Sequence, residues 1–285
     1  MTLLQRMYRA SNPMLAAQTA GLFMLGVAAG YYSGLAREIN FVSLALYFLW
    51  FALFESMFTV LLNNYYDREE DARNPRKAQY EAVYDDSLFW PYWAAMGVAV
   101  AAFFVLYAVY PEEKVLVYVL ILFVANWVYD APPLRVKERP GLDVLVGACT
   151  QVMPPVFGAY ALVTGQWPAL FVLAAAVCAL CNFELFHKTF DIETDRGMGL
   201  HTAAVWLGLK KSLVLCALLQ GAAVGLLAWG SGQPWWVLLA LPYLLMTYCL
   251  WQKPAEEERR ARYGPMRWAY FIVGVVMTAF LFIAA

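Results

Sequence analysis

The sequence predicts an all-α, polytopic membrane protein with about nine transmembrane helices. Three observations predict this class: hydrophobic residues make up 62% of the chain, charged residues make up only 14%, and long apolar runs recur from end to end. A membrane span needs about 20 mostly apolar residues. Because lipid offers no hydrogen bonds, such a span satisfies its backbone groups internally as a helix. We expect a single domain over residues 1–285.

The apolar runs also predict an orientation. The expected spans are 14–32, 41–62, 89–110, 114–129, 142–164, 167–186, 211–229, 234–251 and 267–285. If the N-terminus is inside, all of the 20 basic residues except Arg37 and Lys114 fall on the inner side. This bias predicts a cytoplasmic N-terminus and active-site cap and an external C-terminus. No nucleic-acid partner is expected.

The stretch NNYYDREEDARNPRK, residues 63–77, follows the second predicted span and concentrates charge in an otherwise apolar chain. Asn63, Asp67 and Asp71 are spaced i, i+4 and i+8, so a helix would stack them along one face. Like charges at this spacing destabilise an isolated helix by about 0.2–0.5 kcal/mol per pair. A bound cation is therefore expected to offset the repulsion.

A second acidic stretch, HKTFDIETDRGMG at 187–199, follows the sixth predicted span. Asp191 and Asp195 repeat the i, i+4 step, and Glu184, His187 and Lys188 are predicted on or near the same helix face upstream. Acidic clusters after spans two and six suggest a pseudo-repeat, 1–130 and 131–250, followed by one last helix at 267–285.

A hard divalent cation would explain both clusters. Mg²⁺ takes oxygen ligands and is typically held by one or two carboxylates plus substrate phosphate. Metal ligands are expected at Asn63, Asp67, Asp71, Asp191 and Asp195. Basic residues that could bind a diphosphate lie beside them: Arg68, Arg76, Lys77, Lys188 and Arg196, with Arg135, Lys137 and Arg139 in the loop 130–139. The remaining charges, including the run EEERRAR at 256–262, are interpreted as solvated loop residues.

Together these motifs resemble the UbiA superfamily of intramembrane prenyltransferases. The resemblance rests on Asn63-x3-Asp67-x3-Asp71, on YDAPPLRVKERPGLD at 129–143 and on DIETDRGMGLHT at 191–202. It implies a helical barrel with a cytoplasmic polar cap, where two aspartate motifs hold a magnesium-bridged isoprenyl diphosphate. It also implies that Tyr129, Arg135 and Lys137 contact the diphosphate. The chain departs from the family pattern at Asn64, where Asp is frequent, and at Asp130, where Ser is common.

The segment RNPRK at 73–77, with Glu81 and Val83, resembles the lycopene elongase branch. That branch implies transfer of a five-carbon unit from dimethylallyl diphosphate to a lipophilic acceptor within the lipid bilayer, and a carotenoid such as lycopene is the acceptor expected. An aromatic or quinone prenyltransferase and a membrane terpene cyclase are alternatives with the same ionisation chemistry. A transporter or channel is disfavoured, because the acidic motifs lie at helix ends rather than at the midplane.

Loss of diphosphate from an allylic substrate leaves a carbocation, which needs stabilisation and exclusion of water. Aromatic faces attract cations, and Tyr66 and Phe183 are candidates for this role. An alkene acceptor must then lose a proton to a base. Glu55, one or two turns before the first motif, is a candidate base, and Glu184 and His187 are alternatives.

Overall fold

The computed structural model describes residues 13–73, 89–151, 153–232, 234, 237, 240–253, 255 and 257–259. Within this part of the chain the α-helices are α1 Pro13–Tyr32, α2 Phe41–Leu49, α3 Ser56–Arg73, α4 Phe89–Val109, α5 Glu113–Asp130, α6 Leu142–Gln151, α7 Met153–Thr164, α8 Leu170–Lys188, α9 Ile192–Gly197, α10 Ala203–Ser231 and α11 Ala240–Trp251. The described residues contain no strand, which confirms the all-α prediction.

Several of these helices are membrane spans. Four are long and apolar enough to cross a bilayer singly, namely Phe41–Glu69, Phe89–Val109, Leu170–Lys188 and Ala203–Gly230. A fifth span results if 142–150 and 153–164 are counted together. The chain is therefore a multi-pass integral membrane protein. The predicted last span, 267–285, and the basic residues Arg6 and Arg9 lie outside the described residues.

Helix α10 is kinked close to the predicted start of the seventh span. That span was expected at 211–229, and Gly208, with φ of 73° and ψ of 167°, divides Ala203–Ser231 into a short first piece and a longer second piece that contains 211–229. Lys210 and Lys211, interpreted as loop residues, lie at the start of the second piece, and both side chains are exposed. Long lysine side chains can lay their methylene stems along apolar surface while the ammonium reaches water.

The helices form two compact units, the first comprising 1–135 and 150–167 and the second 136–149 and 168–285. An aromatic core centred on Trp50 holds the first unit together. The Trp50 ring lies 5.0 Å from Phe103 and 5.1 Å from Phe51 between ring centroids. Its Nε1 donates a hydrogen bond to the Ala99 carbonyl at 2.9 Å. A buried indole normally needs such a partner for its N–H.

A π-helical segment, Trp50–Glu55, joins α2 to α3 in this core. It carries Glu55, which is only 1% exposed. Such segments are rare within helices and occur frequently at functional sites. The candidate base is therefore held in the interior of the first unit.

Glycines let α1 and α7 of the first unit approach closely. A Cβ at Gly26 would overlap the Val156 carbonyl oxygen, and one at Gly30 would overlap the Val163 side chain. The two glycines are four residues apart on one face of α1. Such small-residue pairs are typical of helix packing in membranes, where van der Waals contact replaces the hydrophobic effect.

The second unit is organised around the neighbouring helices α8 and α10. Leu185, Leu213 and Val224 are buried in their shared core. Asn182 donates through Nδ2 to Gln220 Oε1 at 2.9 Å, and both side chains are buried. This polar pair satisfies two amides that would otherwise be costly to bury. It ties α8, which leads into the second acidic motif, to the longest helix of the unit.

Candidate functional site

The first acidic motif lies on one helix, as predicted. Asn63, Asp67 and Asp71 all belong to α3, which continues to Arg73. Asn63 Nδ2 donates to Asp67 Oδ2 at 2.9 Å. The i, i+4 spacing therefore brings these two side chains into direct contact. The side chain of Asp71, and all of Arg76 and Lys77, lie outside the described residues.

Asp130 completes this cluster, although sequence analysis treated it only as a departure from the family pattern. It is the last residue of α5, is 1% exposed, and accepts a second hydrogen bond from Asn63 Nδ2 at 2.9 Å. An amide nitrogen has two hydrogens, and these two carboxylates take both. Asn63 Oδ1, an oxygen of the kind Mg²⁺ prefers, is thereby left to serve as a ligand.

Arg135 supplies the positive charge beside these carboxylates. Its Nη2 lies 3.4 Å from Asp67 Oδ1, and its Nη1 donates to the Tyr66 carbonyl at 3.2 Å. Arg135 has φ of 38°, in the left-handed region that non-glycine residues rarely adopt. Such backbone strain occurs preferentially at ligand-binding sites. The structure thus brings this loop residue into contact with the first motif.

Other predicted residues of the first unit lie on α3 and α5, the helices that carry this cluster. Arg68 folds back onto its own helix: Nη1 donates to the Tyr65 carbonyl at 2.8 Å, and the guanidinium carbon lies 4.7 Å from the Tyr65 ring centroid. The Tyr66 ring is 6.1 Å from that of Trp127. Tyr129 lies half-buried in the last turn of α5. Tyr65, Tyr66 and Trp127 form a group of contacting rings, the aromatic wall, on the two helices that carry the carboxylates.

The second acidic motif is not one continuous helix face, and here the prediction was wrong. Helix α8 ends at Lys188, and Asp191 caps the short helix α9 that begins at Ile192. Phe190 and Ile192 are both 2% exposed and belong to the core of the second unit. The chain therefore turns between α8 and α9 within a buried segment.

The turn still preserves the i, i+4 relation between the two aspartates. The Asp195 N–H donates to the Asp191 carbonyl at 2.8 Å. Thr202, which caps α10, donates through Oγ1 to Asp195 Oδ2 at 3.5 Å. His201 directly precedes Thr202, the N-cap residue of this helix. Arg196 is exposed in the last turn of α9.

Asp143 is a second candidate residue that sequence analysis missed. Its side chain is completely buried, and it accepts hydrogen bonds from the N–H groups of Gly141 and Ala203, each at 2.9 Å. Lys188 Nζ lies 3.7 Å from its Oδ2. A buried carboxylate with fixed donors is a rigid partner for a lysine. Asp143 therefore sets the direction of the Lys188 ammonium.

Lys137 lies in a short 3-10 helix, Val136–Glu138, in the loop before α6. Burial lowers its pKa to about 7; the Glu138 carboxylate opposes this shift, and the Lys188 ammonium adds to it. Two lysines that repel each other would both be stabilised by an added anion. The electrostatics of the second unit thus favour anion binding here.

Three further predicted residues lie on α8. Glu184 and Phe183 are partly buried, whereas His187 is exposed, with its ring 6.4 Å from that of Phe183. An exposed imidazole is poorly suited to deprotonate an intermediate that must be shielded from water. These observations favour the carboxylates over His187 as the base.

The donor set fits a hard cation that binds together with a phosphate. Among the described residues, no three His, Cys, Asp or Glu side chains group closely enough to hold a metal by themselves. Mg²⁺ seldom uses such all-protein cages and instead takes one or two carboxylates plus phosphate oxygens. Carboxylate and amide oxygens beside Arg135 supply that kind of partial site.

A model of the UbiA prenyltransferase family matches residues 20–272. The chain belongs to this family. A lycopene elongase/hydratase of Halobacterium salinarum is 30% identical over 82% of this chain and 83% of its own length. A lycopene elongase/hydratase of Corynebacterium glutamicum is 26% identical over 77% of this chain and 78% of its own. The predicted resemblance to the elongase branch of the UbiA family is confirmed.

The fold is shared with a UbiA homolog from Archaeoglobus fulgidus solved with DMAPP and Mg²⁺. The TM-score is 0.75, with 20% sequence identity and coverage of 96% of this chain and 98% of that one. The UbiA assignment confirms that the protein is a prenyltransferase embedded in the membrane.

Proposed function

We propose that this UbiA enzyme transfers the five-carbon unit of dimethylallyl diphosphate to a carotenoid such as lycopene, with Mg²⁺ as cofactor. The observation that carries the proposal is the cluster of Asn63, Asp67 and Asp130 with Arg135, which joins oxygen ligands to a guanidinium in a buried setting. The elongase relatives support the acceptor, and the DMAPP- and Mg²⁺-bound neighbour supports the donor and the metal.

The proposed ligands and donor contacts follow from the two motifs. The metal ligands are Asn63, Asp67, Asp71, Asp191 and Asp195, and the diphosphate contacts are Arg68, Lys77, Tyr129, Arg135, Lys137, Lys188 and Arg196. Mg²⁺, when bound, supplies charge neutralisation to the diphosphate. The guanidinium of Arg135 adds hydrogen bonds that strengthen as negative charge collects on the departing oxygen.

The chain's own groups account for the remaining steps. The allylic C–O bond breaks, and its electron pair leaves with pyrophosphate. The aromatic wall around Tyr66 excludes water and faces the cation. The acceptor double bond then donates its electrons to the allylic carbon, and the resulting cation loses a proton. Glu55 is the proposed base. It is buried, and it ends the π-helical segment that leads directly into α3. At the rise of an α-helix it lies about 12 Å before Asn63 along the helix axis.

Label transfer tests the proposal. Purified protein in lipid vesicles receives Mg²⁺, radiolabelled dimethylallyl diphosphate and lycopene. We expect label in a longer carotenoid and none after chelation. If label moves only from longer labelled donors, the five-carbon donor is wrong. If label moves only to aromatic acceptors, the carotenoid acceptor is wrong. Either result leaves prenyl transfer intact. A hydrocarbon released from a longer donor without any acceptor would indicate a cyclase.

Variants of the two motifs test the ligand assignment. Asp67→Ala and Asp191→Ala should each abolish turnover while leaving the protein folded, with a modest loss of unfolding temperature in Asp67→Ala, which removes an acceptor of Asn63 Nδ2 and the partner of Arg135. Turnover is measured with the same labelled donor at saturating Mg²⁺. Near-normal activity in either variant would remove that residue from the metal site.

A further inference from the structure

Arg259 is a fully buried charge in the described part of the second unit, as Asp143 is. It lies in the run EEERRAR, whose residues sequence analysis interpreted as solvated, yet its side chain is 0% exposed. Its neighbour Glu258 does follow that interpretation, being 53% exposed in an ion pair with Lys253 at 3.2 Å. Burying a guanidinium is costly unless its donors are satisfied. The groups that accept its hydrogen bonds therefore show which part of the structure it stabilises.

Those contacts converge on the second acidic motif. Arg259 Nε donates to the Thr189 carbonyl at 3.1 Å, and Nη2 donates to Glu193 Oε2 at 2.7 Å. Nη1 reaches the Lys253 carbonyl at 3.4 Å, which anchors the guanidinium to its own loop. The planar fork of an arginine can serve three acceptors in fixed directions, which a lysine ammonium cannot reproduce.

The two motif contacts lie on opposite sides of the break between α8 and α9. Thr189 is the C-cap of α8, and Glu193 is in the first turn of α9. Asp191 lies between them, and Asp195 follows one turn after Asp191. A helix C-terminus has carbonyls without intrahelical partners and carries partial negative charge. One guanidinium therefore satisfies the end of α8 and fixes the start of α9.

We propose that Arg259 is a positioning residue for donor binding: it locks the break between α8 and α9 so that Asp191 and Asp195 keep the geometry needed for a divalent cation. The inference rests on the proposed metal-dependent function. It assigns no contact between Arg259 and the substrate. Its effect is exerted through Thr189 and Glu193.

The test measures metal affinity apart from catalysis. Full-length protein in detergent is titrated with Mn²⁺ at a fixed concentration of inorganic pyrophosphate, and the Mn²⁺ bound to protein is followed by electron paramagnetic resonance against a protein-free blank. Arg259→Gln should weaken Mn²⁺ binding by about tenfold or more, as loss of outer-shell support commonly does. Arg259→Lys should restore only part of the affinity. High Mg²⁺ should recover part of the lost turnover.

Glu193→Gln supplies an independent arm, because it removes one contact of Arg259 and leaves the Thr189 contact in place. It should shift Mn²⁺ affinity in the same direction by a smaller factor, about threefold. The double variant should be no weaker than Arg259→Gln alone, since both changes interrupt one interaction. If Arg259→Gln fails to fold, the Glu193→Gln shift decides the proposal.

Glu258→Gln is the matched control, a charge removal one residue away on the exposed side of the same turn. It should leave Mn²⁺ affinity unchanged. If wild-type protein binds Mn²⁺ and the Arg259 and Glu193 variants bind it equally well, the positioning role is overturned and the proposed function stands. If wild-type protein does not bind Mn²⁺ with pyrophosphate present, the metal-dependent function falls, and the positioning role falls with it.

Discussion

Asn63 is an amide whose orientation depends on two carboxylates. Because Asp67 and Asp130 each accept from Nδ2 at 2.9 Å, the amide cannot flip without losing both hydrogen bonds. Asp130 thus contributes to ligand geometry without needing to touch the metal itself. This arrangement is comparable to the outer-shell partners that orient metal-binding side chains elsewhere.

Substitution at Asp130 tests this dependence. Asp130→Asn keeps an acceptor oxygen for Asn63 and should retain turnover within about threefold, whereas Asp130→Ala leaves a buried donor unsatisfied. Such a loss costs about 1–3 kcal/mol of stability. Because Asn63 then loses one of the two contacts that orient its oxygen, turnover in Asp130→Ala should fall by about tenfold, as for other lost outer-shell partners. Labelled-donor assays measure both.

Asn126→Ala is the control, because Asn126 Nδ2 bonds the Leu122 carbonyl of its own helix rather than a motif residue. Its turnover should match the wild type. If Asp130→Asn proves as damaging as Asp130→Ala, the carboxylate charge itself is required, and Asp130 acts as a ligand rather than as an orienting acceptor.

Lys137 predicts a pH dependence of diphosphate binding. Its pKa of about 7 means that the free protein loses this charge as pH rises through 7. A bound anion favours the protonated form and raises the pKa in the complex. Affinity should therefore be highest below pH 7 and fall above it, by up to about tenfold per pH unit until the pKa of the complex is reached.

The measurement is the affinity for Mg-pyrophosphate between about pH 6 and pH 9 in the wild type and in Lys137→Arg. The arginine stays protonated throughout this range. The affinity of the variant should therefore lack the steep fall above pH 7. Titration of pyrophosphate itself is common to both proteins and cancels in the comparison. Equal slopes would show that Lys137 does not bind the anion.

Residue spacing predicted contacts within one helix and missed contacts between segments. The Asn63–Asp67 contact follows from an i, i+4 step, which any helix converts into proximity. Asp130 is 67 positions from Asn63, and Arg259 is 66 from Glu193. No periodicity encodes such pairs, because tertiary packing decides them. The burial of Arg259 was not predicted, because its charged neighbours in the sequence are typical of a solvated loop.

At the scale of elements, the packing of α1 against α7 in the first unit depends on two glycines, Gly26 and Gly30, which have no side chain. Gly26 faces a backbone oxygen of α7, which cannot move aside as a side-chain end could. Gly21 lies on the same helix, and a Cβ added there would meet nothing within 4 Å. The two sites therefore separate the effect of close approach from the general effect of replacing glycine in a helix.

Gly26→Ala should destabilise the protein by about 1–3 kcal/mol, the usual cost of overpacking. Gly21→Ala should be neutral or stabilising by up to about 1 kcal/mol, because alanine favours the helix. Thermal unfolding in one detergent compares the two. An unfolding temperature for Gly26→Ala equal to that of Gly21→Ala would contradict the close packing of α1 on α7.

The break between α8 and α9 shows where element prediction failed. The aspartate spacing alone is compatible with an uninterrupted helix. No proline or glycine, the usual helix-termination signals, lies between Lys188 and Ile192. At the break, Phe190 and Ile192 are both buried in the core, and Arg259 bonds Thr189 and Glu193 from 70 and 66 positions away. Local sequence signals do not record such tertiary contacts.

At the scale of the whole molecule, the distribution of basic residues predicts an odd number of spans. We expect the N-terminus on the cytoplasmic side and the C-terminus on the opposite side. Alkaline phosphatase fused after residue 285 should be active in a bacterial host, whereas a fusion after Gln252 should be inactive. The fusion at 252 is the cytoplasmic reference, and immunoblotting of the membrane fraction shows whether both fusions are expressed and inserted. An inactive fusion at 285 would mean that the number of spans is even.

The π-helical segment Trp50–Glu55 has a consequence for how relatives should be aligned. A turn of this kind absorbs one more residue than an α-turn, and one residue corresponds to about 100° of rotation about the axis. Upstream, Tyr47 is tethered to the Tyr110 carbonyl at 2.7 Å. A relative that lacks one residue within Trp50–Glu55 can therefore form an α-turn there and keep its aspartates beside Asp130, whereas a loss in the α-helix between Glu55 and Asn63 would rotate them by about 100°. A one-residue gap between aligned relatives is therefore expected at the π-turn and not in α3.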